Sequence, residues 1–98
     1  MKNRINASAL ESSEREAILS QLPNGAELLD MRVGYVEEIE GDQATICLKG
    51  LKRRVFPSDY ISKRGLDEGE NKFLALARYR VSGCEKSDLV RISQPQFN

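Results

Sequence analysis

The 98-residue chain has no histidine and no tryptophan, only three tyrosines, three phenylalanines and two cysteines, and no net charge. Each scarcity excludes something. Without histidine there is no side chain whose ordinary pKa lies near neutrality for proton transfer. There is also no glycine-rich phosphate loop and no Gly-x-Ser-x-Gly turn. The expectation is a protein that is not an enzyme and takes no cofactor. Cys47 and Cys84 stand far apart in the sequence with no Cys-x-x-Cys and no further partner, so free thiols are expected, not a zinc site or a redox pair. No apolar run of about 18 residues offers a membrane span, and the opening MKNRINASALESSERE lacks the apolar stretch of a secretory signal. The expected location is the cytoplasm, with no membrane partner.

A chain this short closes one modest core, so a single domain is expected over 8–98 behind a polar tail at 1–7. The zero net charge conceals a segregation. Residues 1–42 carry four cations against nine carboxylates, a net of −5, and residues 43–98 carry eleven cations against six, a net of +5. Two opposite fields permit a cationic face for a polyanion, and equally permit the halves to attract one another inside the domain.

The stretch SALESSEREAILSQL has helical spacing over 8–22. Ser8 or Ser13 precedes a glutamate by three residues, Glu11 or Glu16, as in a capping box, and Leu10, Ala17, Ile18 and Leu22 share one side. Pro23, Asn24 and Gly25 end it. From there the period is two. MRVGYVEEIEG sets Val33, Tyr35 and Ile39 on one face, and Gly41-Asp42 turns the chain into QATICLKG, where Ala44, Ile46 and Leu48 alternate. Gly50 opens a second turn into LKRRVF, with Leu51 and Val55 on one side and Lys52, Arg54 and Phe56 on the other, and Pro57 stops the ladder. A polar connection over 58–71 has room for one helical turn. KFLALARYRVSG follows as a strand with Phe73, Ala75, Ala77, Tyr79 and Val81 on one face and Leu74, Leu76, Arg78 and Arg80 on the other. DLVRISQ is the last, with Val90 and Ile92 inward. The fold class expected is mainly β: an N-terminal α-helix followed by a five-stranded small barrel over 28–94, of OB or S1-like type, with an SH3-like barrel as the alternative.

The succession VGYVEEIEGDQATICL, RRVFPSDYI, LDEGENKFLALARYRV and LVRIS resembles the S1 RNA-binding domain, an OB-fold module, over residues 33–93. Gly34, Val36 and Ile39 match its opening strand; Ala44, Ile46 and Leu48 its second; Phe56, Pro57 and Ser58 its Phe-x-Pro-type segment; Glu68, Gly69 and Glu70 the step before its fourth strand. The resemblance implies a barrel that holds RNA. The chain departs from that family at Thr45 and Cys47, where S1 domains carry exposed aromatics, and in having no histidine, so the resemblance bears on fold more than on RNA.

The basic hairpin CLKGLKRRVF carries the functional expectation. Lys49, Lys52, Arg53 and Arg54 would follow the phosphates of single-stranded nucleic acid, RNA or DNA, with Arg78 and Arg80 extending the patch and Phe56 as the stacking surface. The plainer use of the same cations is protection of a strand edge. Tyr35, Phe73 and Tyr79 are expected in the core. Glu37 and Glu38 could share a metal ion only across a bulge, since strand neighbours point to opposite faces. Asp67, Glu68 and Glu70 lack the spacing of a calcium loop. The alternative function is a small protein-interaction adaptor or inhibitor that uses a strand edge, with Leu74 and Leu76, or the N-terminal helix.

Overall fold

A single strand of 14 residues, Glu27–Glu40, organises the computed structural model, which describes residues 5–6 and 12–93, with side chains from residue 15 onward. In chain order the elements are β1 (Ile5–Asn6), α1 (Ser12–Leu19), β2 (Glu27–Glu40), β3 (Gln43–Leu48), β4 (Arg54–Pro57), α2 (Ser58–Lys63), β5 (Phe73–Val81) and β6 (Cys84–Arg91). The sheet is antiparallel, in the order β4-β3-β2-β5-β6, and β1 pairs with β2 at Asp30 and Met31. It is a curled half-barrel with short helices.

Two bulges let β2 serve two cores. Between Leu28 and Asp30 the register with β5 shifts by one residue, and between Val36 and Glu38 the register with β3 does the same. Each shift moves the following side chains to the other face. Leu28 and Met31, three apart, therefore enter one core with Val33, Ala75, Ala77, Tyr79 and Val90, and Ile18 and Leu22 from the region of α1 cover it. Val36 enters the other with Ala44, Ile46, Leu48, Leu74 and Leu89, and Ile61 and Leu66 from the region of α2 cover that, with Ile39 packed against it. This corrects the expectation that Val33, Tyr35 and Ile39 share a face: strict alternation fails at the inserted Glu37.

At Gly34 and Tyr35, β2 is in register with both neighbours. A Cβ at Gly34 would lie 2.2 Å from the Cys47 carbonyl oxygen, so only glycine fits this crossing. The β5–β6 hairpin closes with Ser82 and Gly83 at φ 52° and 79°, the double left-handed turn that matches strand twist, so β6 starts at Cys84, earlier than sequence alternation suggests.

α2 follows Pro57 and ends in a Schellman arrangement: the Leu66 amide donates to the Ile61 carbonyl, the Gly65 amide to that of Ser62, and Ile61 and Leu66 are buried together. Across the open side of the half-barrel the seam is made by side chains. Phe56 of β4 stacks on Tyr60 of α2 with centroids 5.9 Å apart, and the Tyr60 hydroxyl accepts the Leu89 amide of β6 at 2.9 Å. Arg64 lies 4.9 Å over the Tyr60 ring and 3.4 Å from Asp88. The face that carries α2 is therefore the concave one. Farther along β6, Gln21 holds the edge by accepting the Arg91 amide and donating to its carbonyl, each at 2.7 Å.

The helix is shorter than its sequence spacing suggests, ending at Leu19, with turns carrying Leu22 into the core and Ala17 exposed. The capping and stripe positions Ser8, Leu10 and Glu11 lie outside the described residues, as do the Ser13 side chain and residues 94–98 of the last strand and C-terminus. β5 is an internal strand and Leu74 is fully buried, so the edge on which Leu74 and Leu76 would dock a protein is not an edge; the sheet's edges are β4 and β6. Both cysteines are free thiols. No helix among the described residues is long and apolar enough to cross a membrane.

Candidate nucleic-acid interface

Alternation along β3 turns Ala44, Ile46 and Leu48 into the concave core and leaves Thr45 and Cys47 on the opposite, convex face. Lys49 continues that outward parity. Cys47 faces Tyr35 across the β2–β3 pair, and Tyr35 faces Phe73 across the β2–β5 pair, so the three side chains form one row. A shallow cleft of about 260 Å³ opens there, lined by Gly34, Tyr35, Cys47 and Lys49. The Cys47 thiol, within hydrogen-bonding reach of the Tyr35 phenol, pushes the phenol above its ordinary value.

Beyond Lys49 the chain leaves the sheet. Residues 49–53 form a turn and an extended link rather than a strand, tied to β2 where the Lys49 amide donates to Val33 and Arg32 Nη1 donates to the Lys49 carbonyl at 3.0 Å. Lys52, Arg53 and Arg54 are exposed in sequence, with Leu51 and Val55 45% and 59% exposed around them. Arg53 Nε donates to the carboxylate of Glu37, the residue inserted by the second bulge, which holds the guanidinium above its ordinary pKa. The ion pair brings Arg53 beside Tyr35 and Cys47.

The expected site residues fall into three groups. Lys49 lines the Tyr35–Cys47 cleft, Arg53 lies near Tyr35 and Cys47 on its Glu37 ion pair, and Lys52 adjoins them on the link. Arg54 and Phe56 pair with Ile46 and Ala44, so they belong to the concave side; the Arg54 guanidinium lies 5.3 Å over the Phe56 ring, whose other contact is Tyr60. Phe56 is thus part of the seam and not a stacking surface next to Arg53. Arg78 and Arg80 lie two strands from β3 and are committed to carboxylates. Arg78 donates from Nε and Nη2 to Asp30 Oδ2 at 3.1 and 2.6 Å and from Nη1 to Glu85 at 2.8 Å. Arg80 reaches Glu27 at 3.3 Å and Glu85 at 3.7 Å. These pairs answer the charge segregation: Glu27, Asp30 and Glu37 of the acidic half meet Arg80, Arg78 and Arg53 of the basic half.

Tyr79 alone of the three expected core aromatics is buried, at 2% exposure; Tyr35 and Phe73 are half-buried and belong to neither core. The signal in the sequence was Gly34-Tyr35 facing a strand whose outward residues, Thr45 and Cys47, are small. Lys72 Nζ sits 5.5 Å over the Phe73 ring and adds a cation to the row's other end. The bulge turns both Glu37 and Glu38 toward the convex face, but no group of three metal-ligating side chains forms among the described residues. Asp67 is likewise used locally: its carboxylate accepts the Gly69 and Asn71 amides, which pulls it below its ordinary pKa and shapes the turn into β5. Comparison of the chain with family models, with curated proteins and with solved structures found no match.

Proposed function

We propose that this protein is a non-catalytic module that binds the backbone of single-stranded nucleic acid, with low sequence specificity, on the convex face of β3 and the link that follows it. Lys49, Lys52 and Arg53 supply charge, Arg54 reinforces it from the seam, and Tyr35 with Phe73 offers ring surface for bases. The observation that carries this reading is the placement of Arg53 and Lys49 beside the half-buried Tyr35 and Cys47, cations bordering an aromatic row. The strand order supports it. The five long strands pair first with second, second with third, first with fourth and fourth with fifth, with a helix between third and fourth, and we read this as an OB-type barrel left open at one seam. In such barrels the face of the second and third strands takes oligonucleotides. The cytoplasm, where both thiols stay reduced, is the setting this reading assumes.

The test is a fluorescence-anisotropy titration of a mixed-sequence single strand, as RNA and as DNA, at several salt concentrations. Four phosphate contacts give a slope of log affinity against log salt of about −3, and replacing Lys52, Arg53 and Arg54 by alanine removes about 2 from it, at roughly 0.7 per contact. Absence of binding by the unaltered protein at low salt would overturn the reading and leave those cations as edge protection.

A further inference from the structure

The cation best placed beside the aromatic row is already occupied by a carboxylate. Arg53 is the notable case because its carboxylate partner, Glu37, stands at the β2 bulge. Had β2 kept strict register, Tyr35, Glu37 and Ile39 would share a face and Ile39 would be drawn out of the core; the bulge keeps Ile39 packed inward and leaves Glu37 as the extra residue, its side chain turned to Arg53. A carboxylate presents a guanidinium with the same planar acceptor geometry as two oxygens of a phosphate.

We infer that Glu37 occupies the position of a backbone phosphate on Arg53, and that this makes the site selective for a chain of phosphates over a single one. The inference rests on the nucleic-acid reading above. Both side chains are accessible, Arg53 at 64% and Glu37 at 32%, so the pair is a weak surface bridge that a competing anion can displace. An isolated phosphate ion must displace Glu37 with no other gain than the exchange of one anion for another. A strand anchored on Lys49 and Lys52 delivers its next phosphate to Arg53 at high effective concentration and displaces the carboxylate readily. Glu37 thereby raises the threshold for small anions while costing a polyanion little.

The experiment compares the unaltered chain with Glu37→Gln, which keeps size and hydrogen-bonding capacity and removes the charge. Each is titrated with a single-stranded RNA of ten nucleotides, alone and with inorganic phosphate as competitor at constant ionic strength. The expected result is strand binding about two- to fivefold tighter in E37Q, together with competition by inorganic phosphate at concentrations that leave the unaltered chain's complex intact. A second pair, Arg53→Ala and Arg53→Ala with Glu37→Gln, isolates the mechanism: without the guanidinium, the glutamine change gives only the small gain of removing a nearby negative charge and no added phosphate sensitivity. If the unaltered chain binds and loses binding in the Lys52, Arg53, Arg54 alanine variant, yet E37Q binds no tighter and gains no phosphate sensitivity, the inference falls and the nucleic-acid reading stands. If neither protein binds the strand, both fall together.

Discussion

Arg78, on β5, and Arg53, on the link after β3, carry the same charge and have opposite circumstances. Arg78 makes three hydrogen bonds to two carboxylates, one of them Asp30 at 9% exposure, and its side chain is 38% exposed. Arg53 makes one bond to a single exposed carboxylate and is 64% exposed, and its neighbours Lys52 and Arg54 have no carboxylate partner among the described residues. The difference teaches where a neutral protein keeps usable charge. On β5 the arginines face the acidic first half of β2 directly across the ladder, where opposite charges stabilise the pairing. On the link past Leu48 the chain has left the ladder, no strand lies opposite Lys52 and Arg53, and both stay exposed.

The comparison is sharpened first by changing the strand that both regions share. Gly34→Ala forces a methyl group into the Cys47 carbonyl and the Leu48 side chain, so β2 and β3 must separate. A loss of about 3 kcal/mol in urea unfolding is expected, from overpacking against backbone that cannot yield, and it should disturb the loop-bearing side before the β5–β6 hairpin as read by amide exchange.

Arg78→Ala comes next. It removes the principal described partner of a nearly buried carboxylate, and the thermal midpoint should fall by roughly 5 °C while affinity for a single strand at temperatures where the protein is folded stays unchanged. A drop in affinity with no change in midpoint would put Arg78 in the binding surface instead.

A smaller effect separates a further anchored carboxylate, Asp88, from the exposed region. Asp88 accepts the Tyr79 hydroxyl at 2.6 Å, which with burial pushes that phenol up to about 12 from 10.0. The folded protein holds this proton more tightly than the unfolded chain does. The resulting stability is complete below pH 10 and is lost as pH rises through about 12. Between pH 9 and 12 the unaltered chain should therefore lose more stability than Tyr79→Phe; equal losses would mean the bond contributes nothing.

Much of the fold was legible in the residues. The alternation of β3 and β5 placed Ala44, Ile46, Leu48 and the Phe73 to Val81 row correctly, and Pro57 marked a real strand end. The failure on β2 has one physical source, register. A bulge adds a residue without any composition that announces it, so Ile39 changed face relative to Tyr35 while Glu37 and Glu38 came to share one. The same limit hid the site. The six cations could be listed from the sequence, but which of them meet a carboxylate depends on strands paired across 16 to 53 residues, as in Arg53 with Glu37 and Arg80 with Glu27. An aromatic on an alternating face usually belongs in the core, but among the described residues Ile18, Leu19 and Leu22 cover the Met31 to Tyr79 end of that face, and Tyr35 beyond them stays half-buried.

The most direct test of this account sets two variants side by side in the same single-strand titration: the Lys52, Arg53, Arg54 triple alanine variant and the Arg78, Arg80 double alanine variant. The account predicts that the first binds more weakly with a salt slope reduced by about 2, and that the second keeps both the affinity and the slope of the unaltered protein. Loss of binding in the β5 variant, with the link variant unaffected, would contradict it.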